Sequence, residues 1–339
     1  MGSTFVENYP AVLEDIWDLD AGFRWLNAGL PRWIPVGSRT RAHVARSRLN
    51  RALAAFHRAM DLVSEGGDPG AAWGDMGDVS ELIAQRNRIW RGHGIVPERR
   101  SPEDLALLWG IVATVSQITP WILIRIISLP DILKEVRDEI RPYAQGVQPE
   151  QIFGIPEPPR LQILSEGISD SCPLLRACFL ETLRMDAAPF SVGRVKKSFS
   201  MKEDPNISIS PSKSYVLQTG SYVEVSHYLY QTDARPFPNP EKFDPQRTLE
   251  SSGTQPGTWK FTSCQSFDRL LASGSDHSAL SQGSFVETGC LLFVAAILSL
   301  WEFEAVDPLG WQIPDHRTAG IIFLPTRDVE ARIKCRKLE

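Results

Sequence analysis

The run Glu181-Thr182-Leu183-Arg184 sets a carboxylate and a guanidinium three residues apart, which on a helix is one face. Such a pair can make bidentate, charge-assisted hydrogen bonds. Taken alone it has the pattern of a surface salt bridge, and those contribute little. Downstream lies the proline-rich run PNPEKFDPQR, which ends in a second guanidinium, Arg247. The other reactive residue types form no hydrolytic constellation: there is no GxSxG, no HExxH and no nucleophile–base pair at a recognisable spacing. The five cysteines, Cys172, Cys178, Cys264, Cys290 and Cys335, show neither CxxC nor Cys/His metal spacing. They are expected to be reduced thiols of an intracellular protein, with no metal site.

The elements that must carry these residues are mostly helical. Val12, Leu13, Ile16, Trp17 and Leu19 predict an amphipathic helix over 11–28, which Pro31 and Pro35 interrupt. A long helix over 38–64 follows, with Arg39, Arg41, Arg46, Arg48, Arg51 and Arg58 on what is expected to be its solvated side. Residues 78–90 predict another helix. Ser101-Pro102-Glu103-Asp104 predicts a capped helix start, running to about 129 with a kink at Pro120. Helices are also expected from Pro130, over 172–185 and over 285–301. Short strands are expected at 190–195, 215–217 and 222–225, and near 320–324 and 329–334. The order predicts an α+β fold with a helical majority.

Composition narrows the function classes. The chain has 339 residues, 42% of them hydrophobic, and a formal charge of −5 with scattered basic residues, which gives no electrostatic footprint for nucleic acid. MGSTFVENYP lacks the features of a signal peptide. The apolar run 105–129 is broken by Gln117, Pro120 and Arg125, and 290–300 is too short for a bilayer of about 30 Å, so no transmembrane segment and a cytoplasmic location are expected.

Glu181, Arg184 and Arg247, with PNPEKFDPQR, resemble the cytochrome P-450 superfamily: the ExxR of its K helix and the arginine of its meander loop. The resemblance implies that these three form a structural triad. LWGIVATVSQITPWILI resembles the I helix of a fungal branch related to the sterol and prostacyclin enzymes. GWQIPDHRTAGIIFLPTRDVEARIKCR resembles that branch's last strands, and 12–94, with its LPRW turn, resembles the F and G helices. The implied architecture is a single P-450-like domain over 1–339 that lacks the amino-terminal helices A–E. Within it, 1–100 is the F/G region, 101–190 the I, J and K helices, and 190–260 the small sheets and meander; 261–339 holds a degenerate ligand loop, the L helix and the final strands.

The departures from the family pattern carry the functional expectation. Counting back from Phe285 along the run that resembles the L helix puts Leu280 where the family has its iron-ligating cysteine. A leucine has no lone pair to give, and Cys264, His277 and Cys290 lie elsewhere in the run. Gly193 replaces a propionate-binding arginine, although Arg194 is adjacent. The I-helix run also lacks the acid/alcohol pair of many members.

The resemblance therefore implies a haem-free protein with no cofactor, whose apolar pocket still takes a small hydrophobic ligand. Expected candidate catalytic donors are Gln117, Thr114, Ser116 and Thr119, with Trp109, Trp121, Phe190 and Ile321 shaping the wall. The chemistry expected is a cofactor-free pericyclic closure of a terpenoid or polyketide precursor, of the kind carried out by a norbornene-forming Diels–Alderase of fungal secondary metabolism. The alternative is a non-catalytic binding protein for a hydrophobic metabolite or a partner monooxygenase. An exposed apolar patch would favour a homodimer.

Overall fold

The computed structural model describes residues 1–27, 33–149, 158–187, 190–203, 213–251, 259–261, 285–317 and 322–336. Its helices are α1 (Ser3–Asn8), α2 (Val12–Asn27), α3 (Gly37–Ser64), α4 (Glu81–Gly92), α5 (Pro97–Ile127), α6 (Pro130–Ile140), α7 (Ile168–Ser171), α8 (Pro173–Asp186), α9 (His227–Gln231) and α10 (Phe285–Leu300). Strands β1 (Ala144–Val147) and β2 (Arg160–Ile163) pair before α7, in a stretch where no strands are expected from the sequence. After α8 come β3 (Phe190–Arg194), β4 (Phe199–Lys202), β5 (Ser214–Leu217), β6 (Tyr222–Ser226), β7 (Leu249–Ser251) and β8 (Trp259–Phe261). β9 (Trp301–Ala305), β10 (His316–Arg317), β11 (Leu324–Pro325) and β12 (Ala331–Cys335) follow α10. Every sheet among the described residues is an antiparallel two-stranded ladder, such as β3 with β6 and β12 with β9. The fold is α+β and mostly helical, as the element order predicts.

α5 organises the packing because it takes part in two apolar clusters. Its amino-terminal half contributes Leu105 to a cluster with Phe5, Ile16, Leu49, Leu53 and Phe56 of α1, α2 and α3. Its carboxy-terminal half contributes Ile118, Ile122 and Ile126 to a larger cluster with α6, α8 and α10. By length and composition alone α5 could cross a membrane, yet half of its most apolar stretch is buried inside the protein.

The start of α5 corrects the sequence reading. Pro97 occupies the first turn and Pro102 falls inside the helix, so Ser101 is not a cap. Proline at 102 has no N–H to offer the Glu98 carbonyl. The Ser101 hydroxyl donates to that carbonyl instead, at 3.3 Å, and so supplies the donor that the proline lacks. The arginines of α3 also divide. Arg41, Arg48 and Arg58 pair at the surface with Asp18, Asp15 and Glu98, while Arg39 is buried. Between α3, α4 and α5 a buried polar network joins His57 Nε2 to Asp104 at 3.2 Å and Arg100 to Asp61 and Asn87 at 2.8 Å each.

Two features set the helix spacing. A Cβ at Gly22 of α2 would lie 2.4 Å from Ala42 Cβ and 2.6 Å from the Ser38 carbonyl of α3, so only glycine permits this crossing. Glu139 of α6 accepts from the backbone N–H groups of Leu174 and Leu175, at 2.8 Å each, and so closes the amino terminus of α8. Burial pushes its carboxyl up to about 7, against the pull of those two donors.

Gly22→Ala is expected to lower stability by about 1–3 kcal/mol through overpacking, read as a reduced urea midpoint; an unchanged midpoint contradicts the close crossing. Because the folded Glu139 holds its proton up to about pH 7 and the unfolded chain releases it near 4.5, this residue makes stability fall as the pH rises through that window and level off above it. Urea titrations at pH 5 and pH 8 are expected to show a smaller difference in Glu139→Gln than in the parent chain, and an equal difference would refute the assignment.

Candidate functional site

α8 buries both members of its ExxR pair. Arg184 donates from Nε to Glu181 Oε2 at 2.9 Å and from Nη2 to Oε1 at 2.8 Å, a bidentate fork with both side chains essentially inaccessible. The remaining donors of Arg184 reach the Gln231 and Pro240 carbonyls at 2.7 and 2.8 Å. Arg247 Nε and the Asp244 backbone N–H both donate to Glu181 Oε1, at 3.2 and 3.1 Å, and Arg247 Nη2 reaches the Asn239 carbonyl at 2.9 Å. The pair therefore pins the segment from Gln231 to Arg247 onto α8. Phe237 packs under the Arg184 guanidinium at 5.2 Å.

The four donors proposed on α5 do not converge. Gln117 is buried, and its Nε2 donates to Asp20 Oδ2 at 2.9 Å. Trp109 Nε1 donates to the other oxygen of Asp20 at 3.1 Å, and its ring stacks on Phe23 at 4.4 Å. Thr114 lies on the Gln117 side of the helix, buried, with no hydrogen-bond partner for its hydroxyl among the described residues. Ser116 is exposed, and its hydroxyl returns to the Val112 carbonyl of its own helix. Thr119 points at α10, beside the Cys290 thiol. Ser116 and Thr119 thus leave the proposed set, because at about 100° per residue Ser116 is turned by about 100° and Thr119 by about 200° from Gln117.

Asp20 is the residue that the sequence reading missed. It sits one turn after Ile16 on the buried face of α2, a signal that is present in the apolar spacing. Its carboxyl is held above the ordinary range by burial, which outweighs the opposing hydrogen bonds from Gln117 and Trp109. An amide inside an apolar helix needs a partner, and here the partner is this carboxylate.

One turn along α5 from Gln117, Trp121 Nε1 donates to the Phe323 carbonyl at 2.8 Å. The next turn carries Arg125, paired at 2.9 Å with Asp186 at the end of α8. Asp186 also receives His316 Nε2 from β10 at 2.7 Å. Gln117, Trp121 and Arg125 therefore form one ridge that joins α2, α8 and the last hairpin. Phe190 lies in β3, where its backbone pairs with Ser226. Leu280 and Ile321 lie outside the described residues, as do Cys264 and His277.

Three of the described cysteines, Cys172, Cys178 and Cys290, lie in the apolar core. Cys172 and Cys290 are buried thiols that burial pushes up to about 12, and Cys178 is raised well above its ordinary value by the same cause. Cys335 is exposed on β12, opposite Trp301 in the ladder. A groove of about 960 Å³ runs along α3, lined by Arg39, His43, Arg46, Arg51 and Arg58 among others. It shares no lining residue with the ridge on α5.

The cytochrome P450 family model matches residues 103–263. Lanosterol 14-alpha demethylase of Mycosarcoma maydis is 25% identical over 333 residues, covering 92% of this chain and 55% of that protein. A 7-alpha-hydroxycholest-4-en-3-one 12-alpha-hydroxylase of Oryctolagus cuniculus is 24% identical, over 74% of this chain and 50% of its own length. Prostacyclin synthase of Bos taurus is 22% identical, over 72% and 47%. The chain spans about half the length of these relatives.

Arg184→Met strands the Glu181 charge in the core and is expected to cost about 3–5 kcal/mol, by urea unfolding. Arg247→Lys keeps a charge but not both the Glu181 and the Asn239 contacts and is expected to cost about 1 kcal/mol. Equal losses from the two would contradict the burial order.

Proposed function

We propose that this chain, a cytochrome P450 homologue, works without haem, as a cofactor-free cyclase that orders a hydrophobic terpenoid or polyketide precursor for Diels–Alder-type closure. The observation that carries the haem-free reading is the donor set. Counting back along the run that resembles the L helix puts Leu280 at the ligand position, and Cys172, Cys178 and Cys290 are packed in the apolar core. No step of the proposed reaction is routed through a metal.

Pericyclic closure suits a site of this kind because no proton has to move and much of the barrier is the cost of ordering two reacting termini. Holding them in a near-attack arrangement is worth about 7–11 kcal/mol in favourable cases. The residues proposed to shape the site include Trp121 and Thr114 on the α5 ridge, both buried, the latter with no partner for its hydroxyl among the described residues. Gln117 and Trp109 act through Asp20: they hold α2 against α5 and so set the width of the site. In this reading they are positioning residues. Phe190 and Ile321 remain proposed wall residues.

A cytoplasmic location, a small hydrophobic ligand and a second copy of the chain as partner belong to the same proposal. Exposed Phe285 and Phe293 on α10 support self-association. The demethylase and hydroxylase names of the relatives favour a second reading, in which the chain oxidises a lipid with haem held by residues outside those described.

Absorption spectroscopy of purified protein incubated with hemin separates the two readings. The proposal expects no stoichiometric Soret band, and a band with a sulfur- or nitrogen-ligated spectrum would sink it. Incubation with a linear precursor carrying a diene and a dienophile is expected to give cyclised product at least tenfold faster than buffer. Gln117→Ala is expected to slow that closure at least tenfold, about 1.4 kcal/mol of barrier. A rate equal to buffer leaves the non-catalytic binder.

A further inference from the structure

α3 carries six arginines and, apart from Asp61, no acidic residue, on a chain whose formal charge is −5. On the side that meets α2 this charge is answered, since Arg41 pairs with Asp18 and Arg48 with Asp15. On the groove side it is not. There Arg39, Arg46, Arg51 and Arg58 line the space of about 960 Å³ between α3 and the start of α5, against a single carboxylate, Glu98, which pairs with Arg58. Arg46 and Arg51 are exposed and meet no carboxylate among the described residues; Arg51 Nε donates to the Ser47 carbonyl of its own helix at 3.4 Å. Arginines on a convex helix face are answered by water. Here they line a concave surface, where like charges raise one another's energy and focus the field on an incoming anion.

The spacing selects the kind of anion. At 1.5 Å per residue the four arginine positions are spread over about 28 Å of α3, at intervals of about 7–11 Å. A single phosphate or sulfate reaches one or two of them. A phosphate polymer carries a charge every few ångströms, about 3.4 Å along each strand of duplex DNA, and most of its charges would stay unpaired here. A bilayer surface is flat on this scale and does not enter a groove. An extended polypeptide sets the side chains of one face about 6.8 Å apart, which long arginines can follow, and eight of its residues span about 27 Å. Between the arginines, Ser47 and Asn50 line the same groove and bring hydroxyl and amide donors suited to backbone carbonyls.

We propose that the groove along α3 docks an extended acidic segment of a partner protein, with carboxylates on alternate residues received by the arginine forks. The groove shares no lining residue with the ridge on α5, so this inference is independent of the reaction assigned to that ridge.

Fluorescence anisotropy with end-labelled octapeptides tests it, at about 0.15 M salt, where charges outside the groove are screened. A peptide of alternating glutamate and threonine, with every carboxylate on one face of a strand, is expected to bind the parent chain about tenfold more tightly than its glutamine counterpart, and more tightly than a peptide of the same residues arranged in two blocks. Removing both unanswered charges, by Arg46→Gln with Arg51→Gln, is expected to weaken the alternating peptide about tenfold. Arg41→Gln breaks a pair with α2 outside the groove and is expected to leave that affinity unchanged. The comparison of peptides on the parent chain decides the question even if a variant fails to fold. No binding of the alternating peptide, equal affinity for the alternating and block peptides, or an equal loss in Arg41→Gln and the double variant overturns the inference. So does tighter binding of inorganic polyphosphate or of phosphatidylserine vesicles than of the alternating peptide.

Discussion

Arg184 cannot be solvated where it sits, and that constraint orders the rest of the carboxy-terminal half. A buried guanidinium requires a carboxylate and several further acceptors. Glu181 gives the first, and the carbonyls of Gln231 and Pro240 give the others. The segment from 231 to 247 therefore closes onto α8 because its backbone is the remaining partner. Asp186, five residues past Glu181 on α8, repeats the logic toward the other side with Arg125 and His316. One short helix thus fixes the meander, the central helix and the final hairpin, and the proposed ligand site lies among elements that its two carboxylates hold.

The helical frame was readable from the sequence because it rests on local rules: apolar spacing in α2, α3 and α8, and proline at helix starts. The start of α5 was misread because two prolines, Pro97 and Pro102, offer equally good first-turn positions. The choice fell to Ser101, whose hydroxyl repairs the bond that Pro102 removes. The β1–β2 hairpin was missed because AQGV and RLQI lack the alternation of a half-buried strand.

The site was legible in part, for a related reason. Gln117 stood out as an amide within an apolar run, but its partner Asp20 lies 97 positions earlier in the chain and no local pattern links the two. Ser116 and Thr119 were grouped with Gln117 by sequence proximity, whereas the helical repeat sends them to other faces. Asp186 and His316 are 130 residues apart, so their 2.7 Å contact emerges only when the hairpin packs on α8. The carboxylates that matter are thus buried ones whose partners come from distant elements.

The charge-bearing core also shows what the fold tolerates. Asp20 and Glu139 are both held above the ordinary carboxylate range by burial. Each therefore costs stability as it ionises and is kept for the contacts it makes. The central claim is that this scaffold now operates without porphyrin, and native mass spectrometry of the protein from haem-replete cells addresses it most directly. The account predicts the mass of the polypeptide alone, or of a multiple of it; a species heavier by one haem per chain would contradict it.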